Sequence, residues 1–232
     1  MKSNADELAK RGFITDDYKN QFKNYPIDKL ETLLKSENPL ERTASATLLG
    51  ELKSNTSILN LCEALQKEKK LYTKIAITEA LANIGVESVP YLVELLGKIG
   101  DNQHIEPEKK PFNKKSYPLP RDIIARTITK IGKYALAYLE NVLKNGEISQ
   151  ISEAIDAIGF ITFYSKDMRS LQTLKECLQK NHTNILIKWK IIRAFQSFPL
   201  EEVKNYLQNE KLKINEQYIT IEIERSLRQI ES

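Results

Sequence analysis

Residues 106–121 read EPEKKPFNKKSYPLPR, and they hold the densest set of groups able to grip a ligand. Lys109, Lys110, Lys114 and Lys115 surround Phe112, and Tyr117 follows. Lysines interleaved with rings suit a single nucleic-acid strand, with ammonium groups on phosphates and rings under bases. Glu106 and Glu108 dilute that charge, and the prolines exclude regular helix. The plainer expectation is a surface insertion that Phe112 and Tyr117 staple to the body beneath it.

Other chemistry is sparse. His104 and His182 have no Cys or carboxylate neighbours at ligand spacing, so no metal site is expected. Cys62 and Cys177 sit on apolar helical stripes and read as reduced core thiols. The 8 glycines are scattered as helix stops, so no phosphate-cradling loop forms, and no G-x-S-x-G elbow occurs. These gaps favour a binding protein over an enzyme and imply no cofactor. A formal charge of +4 on 232 residues is a weak basic bias, so any anionic partner must meet a local patch. The start MKSNADELAKRGF lacks a secretory apolar run, and nowhere do 18 apolar residues run together. A cytoplasmic protein without a membrane partner is expected.

The elements that position these groups follow a repeat. From Arg42, offsets of four, seven and ten give Ala46, Leu49 and Leu52, one face of a helix that starts at Asn38–Pro39. The frame returns from Lys74 (Thr78, Leu81, Ile84), from Arg121 (Ala125, Ile128, Ile131) and from Lys188 (Ile192, Phe195, Phe198). Gly85, Gly132 and Pro199 close these helices. Weaker copies lie at 151–161 and 220–230. An amphipathic helix precedes each copy, so the unit is a helix pair repeated about six times. Arg42 and Lys74 are 32 residues apart but Arg121 lies 47 beyond Lys74, which makes residues of about 100–119 an insertion inside the third pair.

The segment NPLERTASATLLGEL resembles the second helix of a HEAT repeat, D-P-x-V-R-x-x-A-A-x-A-L-G-x-L. Pro39, Arg42, Ala46, Leu49, Gly50 and Leu52 fit it, while Glu41 and Ser45 depart from it. The resemblance covers about residues 26–232, with residues 1–25 as an N-terminal helical cap. It implies an all-α fold, a right-handed α-solenoid of about six HEAT-like helix pairs, with the second helices lining a concave face. Such a fold implies a non-enzymatic scaffold that takes a protein or peptide partner on that face.

On a helical wheel Trp189 falls off the core stripe beside Arg193, and Arg126 and Lys130 share a ridge with Asp122. Thr47, Glu51, Glu79, Asn83, Arg225 and Gln229 occupy equivalent ridges. Arg126, Lys130, Trp189 and Arg193 are therefore the candidate partner-binding residues, with the insertion as a lip. Alternatively Trp189 packs on the next repeat under Arg193 as a cation–π pair. The resemblance also carries a nucleic-acid alternative, akin to HEAT-like DNA alkylation-repair glycosylases, for which Trp189 and Asp156 would be the groove aromatic and carboxylate. A lyase-like subunit acting on a tetrapyrrole rests on repeat type alone.

Overall fold

The computed structural model describes residues 4–110 and 112–231, and the regular elements among them are all helical. The chain divides into two compact units, one ending at Leu92 and one beginning at Val93.

The first unit holds α1 (Ala5–Lys10), α2 (Asp16–Asn20), α3 (Ile27–Leu33), α4 (Pro39–Glu51), α5 (Ile58–Lys67) and α6 (Leu71–Ile84); α7 (Val89–Glu94) begins there. Short helices need capping to start: the Thr15 hydroxyl accepts from the Tyr18 amide ahead of α2, and Asn38 caps α4 with Pro39 in its first turn. Helices α1 and α2 pack on α4, which also meets α3 and α6. Ala46 and Leu49 are fully buried as the frame requires, but Leu52 is 56% exposed. Helix α4 stops at Glu51 and the chain turns away through Lys53 (φ 49°), so the third position of the stripe leaves the core.

The basic residue that marks the frame is a clamp. Arg42 donates to both carboxylate oxygens of Glu68, at 2.7 and 3.0 Å, and to the carbonyls of Ser36 and Glu37. It thereby fixes its own entry turn and the end of the next pair's first helix, a fork that a lysine would not reproduce. Where α4 and α6 cross, a Cβ on Gly50 would lie 2.5 Å from the Cα of Ala80, so only glycine allows the backbones this close.

The second unit holds α8 (Ile123–Ile131), α9 (Leu136–Asn145), α10 (Ile148–Ser165), α11 (Leu171–Lys180), α12 (Ile185–Phe195), α13 (Glu201–Lys213) and α14 (Gln217–Ile230). Helices α8, α10, α12 and α14 contact one another in that order as one layer, and α9 and α11 meet in the other. Neighbouring pairs thus bury each other's apolar stripes, including Ile155, Ile158, Ile192 and Ile223, in a shared core. Gly132 (φ 78°) ends α8, as Gly85 (φ 100°) ends α6.

Two placements differ from the sequence frame. Arg121 lies outside its helix, because Asp122 is the N-cap of α8 and accepts from the Ala125 amide at 2.7 Å. The clamp falls instead to Arg126, which donates to the Pro120 carbonyl six residues back, as Arg42 does to Ser36. Asp122 is fully buried, so it belongs to no exposed ridge. Between α7 and α8, the described residues of 95–122 form no helix. Among the described residues no helix is long and apolar enough to cross a membrane.

Gly50→Ala tests the close crossing. Alanine ordinarily gains about 1 kcal/mol over glycine inside a helix. Here the overlap with Ala80 should reverse the sign and cost about 1–3 kcal/mol in urea unfolding.

Candidate partner-binding face

Three helices of the second unit each carry two charged residues three positions apart: Glu153 and Asp156 on α10, Lys190 and Arg193 on α12, Glu222 and Arg225 on α14. That spacing puts both members on one helical face. All six are at least 95% buried, which charged groups tolerate only when paired.

The pairing runs from helix to helix. Lys190 Nζ reaches Glu153 Oε1 at 2.8 Å, Asp156 Oδ2 at 2.9 Å and the Ser152 carbonyl at 3.1 Å. Arg193 Nη2 meets Glu222 Oε2 at 3.4 Å, and Arg225 Nη1 meets Glu222 Oε1 at 3.0 Å. Three cations and three anions therefore tie α10, α12 and α14 together. Burial pushes the Glu153 carboxyl up to about 7; the Lys190 charge opposes this shift and the neighbouring Asp156 charge adds to it.

What covers this row is the irregular segment, here called the strap. Its base is closed by Asn102 Nδ2 donating to the Arg121 carbonyl (3.2 Å) and Gln103 Nε2 to Asp122 Oδ2 (2.8 Å). Glu108 reaches in to His104 Nε2 (3.0 Å), Arg193 Nη2 (3.2 Å) and Arg121 Nη2 (3.3 Å). The His104 hydrogen bond, then the charges of Arg193, His104 and Arg121, hold the Glu108 carboxyl down to about 2 against the cost of burial. Farther along, Arg225 Nε donates to the Phe112 carbonyl at 2.6 Å and the guanidinium lies 5.2 Å from the Phe112 ring centre.

The last anchor is a ring in a slot. Tyr117 is buried against Gly159, where any Cβ would overlap its hydroxyl, and its ring lies 6.3 Å from Phe160 and 5.9 Å from Phe163. Trp189 is 1% exposed and lies between the His104 ring (5.1 Å) and the Arg193 guanidinium (3.8 Å). A cavity of about 250 Å³ remains where His104, Glu108, Phe112 and Arg121 face Asp156 and Arg193.

The structure brings Trp189, Arg193, Phe112 and Tyr117 to one face, and separates others from them. Arg126 is half-buried on the Pro120 carbonyl, and Lys130 is exposed in the last turn of α8. Lys109, Lys110, Lys114 and Lys115 are all exposed. In the first unit Thr47, Glu51, Glu79 and Asn83 do share a face, lining a cleft of about 300 Å³ with Phe13 and Tyr72. Sequence reasoning missed Glu153, Lys190 and Glu222 at the site, and gave His104 and Glu108 no role in it.

These features define a helical-repeat protein with an internal segment seated on its second-helix face. Residues 27–102 match the family model described as HEAT repeats. No curated protein matches the chain. Among solved structures, it is similar to an engineered protein from the Northeast Structural Genomics Consortium at 19% identity, covering 88% of this chain and 98% of that one with a TM-score of 0.42. It is also similar to a designed armadillo repeat protein at 16% identity, covering 88% of this chain and 100% of that one with a TM-score of 0.37.

Glu153 sets a pH dependence. A carboxyl whose folded pKa is raised binds its proton more tightly in the folded state. Its stabilising effect is complete below the unfolded value of about 4.3 and is lost as pH rises through about 7. Melting of Glu153→Gln, followed by circular dichroism between pH 4.5 and 7.5, should lack the decline with pH that Glu153 gives the wild type. At pH 7.5 the variant should melt no lower than wild type, since Lys190 keeps Asp156 as its partner.

Proposed function

We propose that the protein is a non-enzymatic scaffold that binds a protein or peptide partner on the face built by α8, α10, α12 and α14. One observation carries this reading: that face holds a non-helical stretch of polypeptide by contacts suited to peptide recognition. Arginine receives a carboxylate and a main-chain carbonyl, and a glycine-lined slot receives a ring. We place the scaffold in a reducing, cytoplasmic setting, a reading supported by Cys62 and Cys177. Both are free and buried, and burial pushes the Cys62 thiol up to about 11.

Nucleic acid is the second reading, favoured by the four exposed strap lysines. A photo-crosslinking residue in place of Tyr164, beside the slot, should trap a discrete protein, whereas one in place of Leu212 on α13 should not. The opposite pattern would contradict the scaffold reading. Single-stranded DNA titrated at two salt concentrations checks the alternative. Engagement of the four lysines would give a slope of log K against log salt near −3, from about −0.7 per phosphate neutralised. The scaffold reading predicts no such binding.

A further inference from the structure

The strap covers its face poorly in one respect. His104 Nδ1, Tyr117 Oη, Glu153 Oε2, Asp156 Oδ1, Arg193 Nε and Arg225 Nη2 are buried without a hydrogen-bond partner among the described residues. These six atoms belong either to the strap or to the charged row it covers, while Thr162 Oγ1 on α10 and Gln196 Oε1 at the end of α12 are likewise buried without a partner but lie in neither. Each such group costs about 1–3 kcal/mol relative to a hydrated or paired one. A segment kept only as a structural plug gains nothing from sealing these groups in. Releasing it rehydrates them, and an incoming chain with its own polar groups can pair them.

The contacts also state what the face accepts. Counting along the strap, a carboxylate enters at Glu108, a carbonyl is taken four residues later at Phe112, and a ring fills the slot five residues beyond, at Tyr117. The described residues between these anchors form no helix, so none has to be unwound to fit.

We propose that the strap is a displaceable ligand in cis, and that the partner is a non-helical peptide segment carrying a carboxylate and, about nine residues on, an aromatic ring. This rests on the scaffold reading above and adds two things to it: the chemistry of the partner, and a regulatory role for the strap as its competitor. Because the strap is tethered at both ends, its effective concentration is of millimolar order, so a peptide in trans meets a strongly masked site. Loosening the strap unmasks the site without altering the helices.

The test uses the full chain and a fluorescent synthetic peptide of residues 103–120, read by anisotropy. Glu108→Gln/Tyr117→Ala leaves the helical face intact and removes two anchors of the strap. This variant should bind the peptide at least about thirty-fold tighter than wild type does, as relief of a millimolar competitor allows. Glu108→Gln alone, which leaves Arg193 its Glu222 partner and keeps Tyr117, covers the case in which the double variant does not fold; it should bind with intermediate affinity. Adding Gly159→Ala to either variant fills the slot and should abolish binding. A peptide with glutamine and alanine at the Glu108 and Tyr117 positions should not bind.

A variant with wild-type helicity and cooperative melting that binds the peptide no better than wild type overturns the proposal. So does an altered peptide that binds as well as the native one. Should crosslinking at position 164 trap a partner whose binding ignores these variants, the scaffold reading stands and the cis-ligand proposal falls. Should nothing be trapped while the peptide binds as stated, the strap is a ligand of its own face, and the partner in trans falls with the scaffold reading.

Discussion

Burying a charge costs several kcal/mol unless a partner and further hydrogen bonds replace its water. The second unit buries six on one face, and much of its architecture answers that cost. Lys190 serves two carboxylates on the neighbouring helix, and Glu222 serves two guanidiniums on its own helix and the next. The bonds hold only while α10, α12 and α14 stay in register. The apolar core stacks the pairs by burying area, which is tolerant of small slips. The ionic row is not tolerant, because a shift of one turn would leave charges unpaired in the interior.

The strap follows from the same constraint. Without it the row would be a charged surface, well solvated and able to meet a partner. With it, His104, Glu108, Phe112 and Tyr117 replace water at the arginines and over the Gly159 slot. The exchange is incomplete, as the unpaired atoms and the cavity of about 250 Å³ show. Binding and covering are thus two uses of one surface, and the segment suited to cover it displays what an external chain must supply.

The helix pairs were legible in the sequence because burial alone dictates the 3.6-residue period. Gly85 and Gly132 mark the stops of α6 and α8, whereas α12 ends before Pro199 and α10 runs on through Gly159. Ala46, Leu81, Ile128 and Phe195 all fell in the core. The frame failed at Leu52 and Arg121, both at helix ends, where the chain's exit and an Asp cap override periodicity. The insertion was legible as an interruption of the period. Where it lies was not, because its contacts join residues up to 113 positions apart. The signal for the charged row was nonetheless present. At offsets of two and five in the repeat frame, the first pairs have Ala44 and Thr47, then Ala76 and Glu79. The last three have Glu153 and Asp156, Lys190 and Arg193, Glu222 and Arg225. At the first of these offsets alanine gives way to Glu153, Lys190 and Glu222, and the new charges compensate one another across helices.

The central claim is that the strap leaves its face while the helices beneath remain folded. Trp189 is the single tryptophan and is packed directly under His104, so its emission reports the cover. In a urea titration of the full chain, Trp189 emission should shift to longer wavelength before the far-ultraviolet helical signal falls, giving two transitions that do not coincide. Superimposable transitions would mean that strap and helices unfold as one body, and would contradict the account.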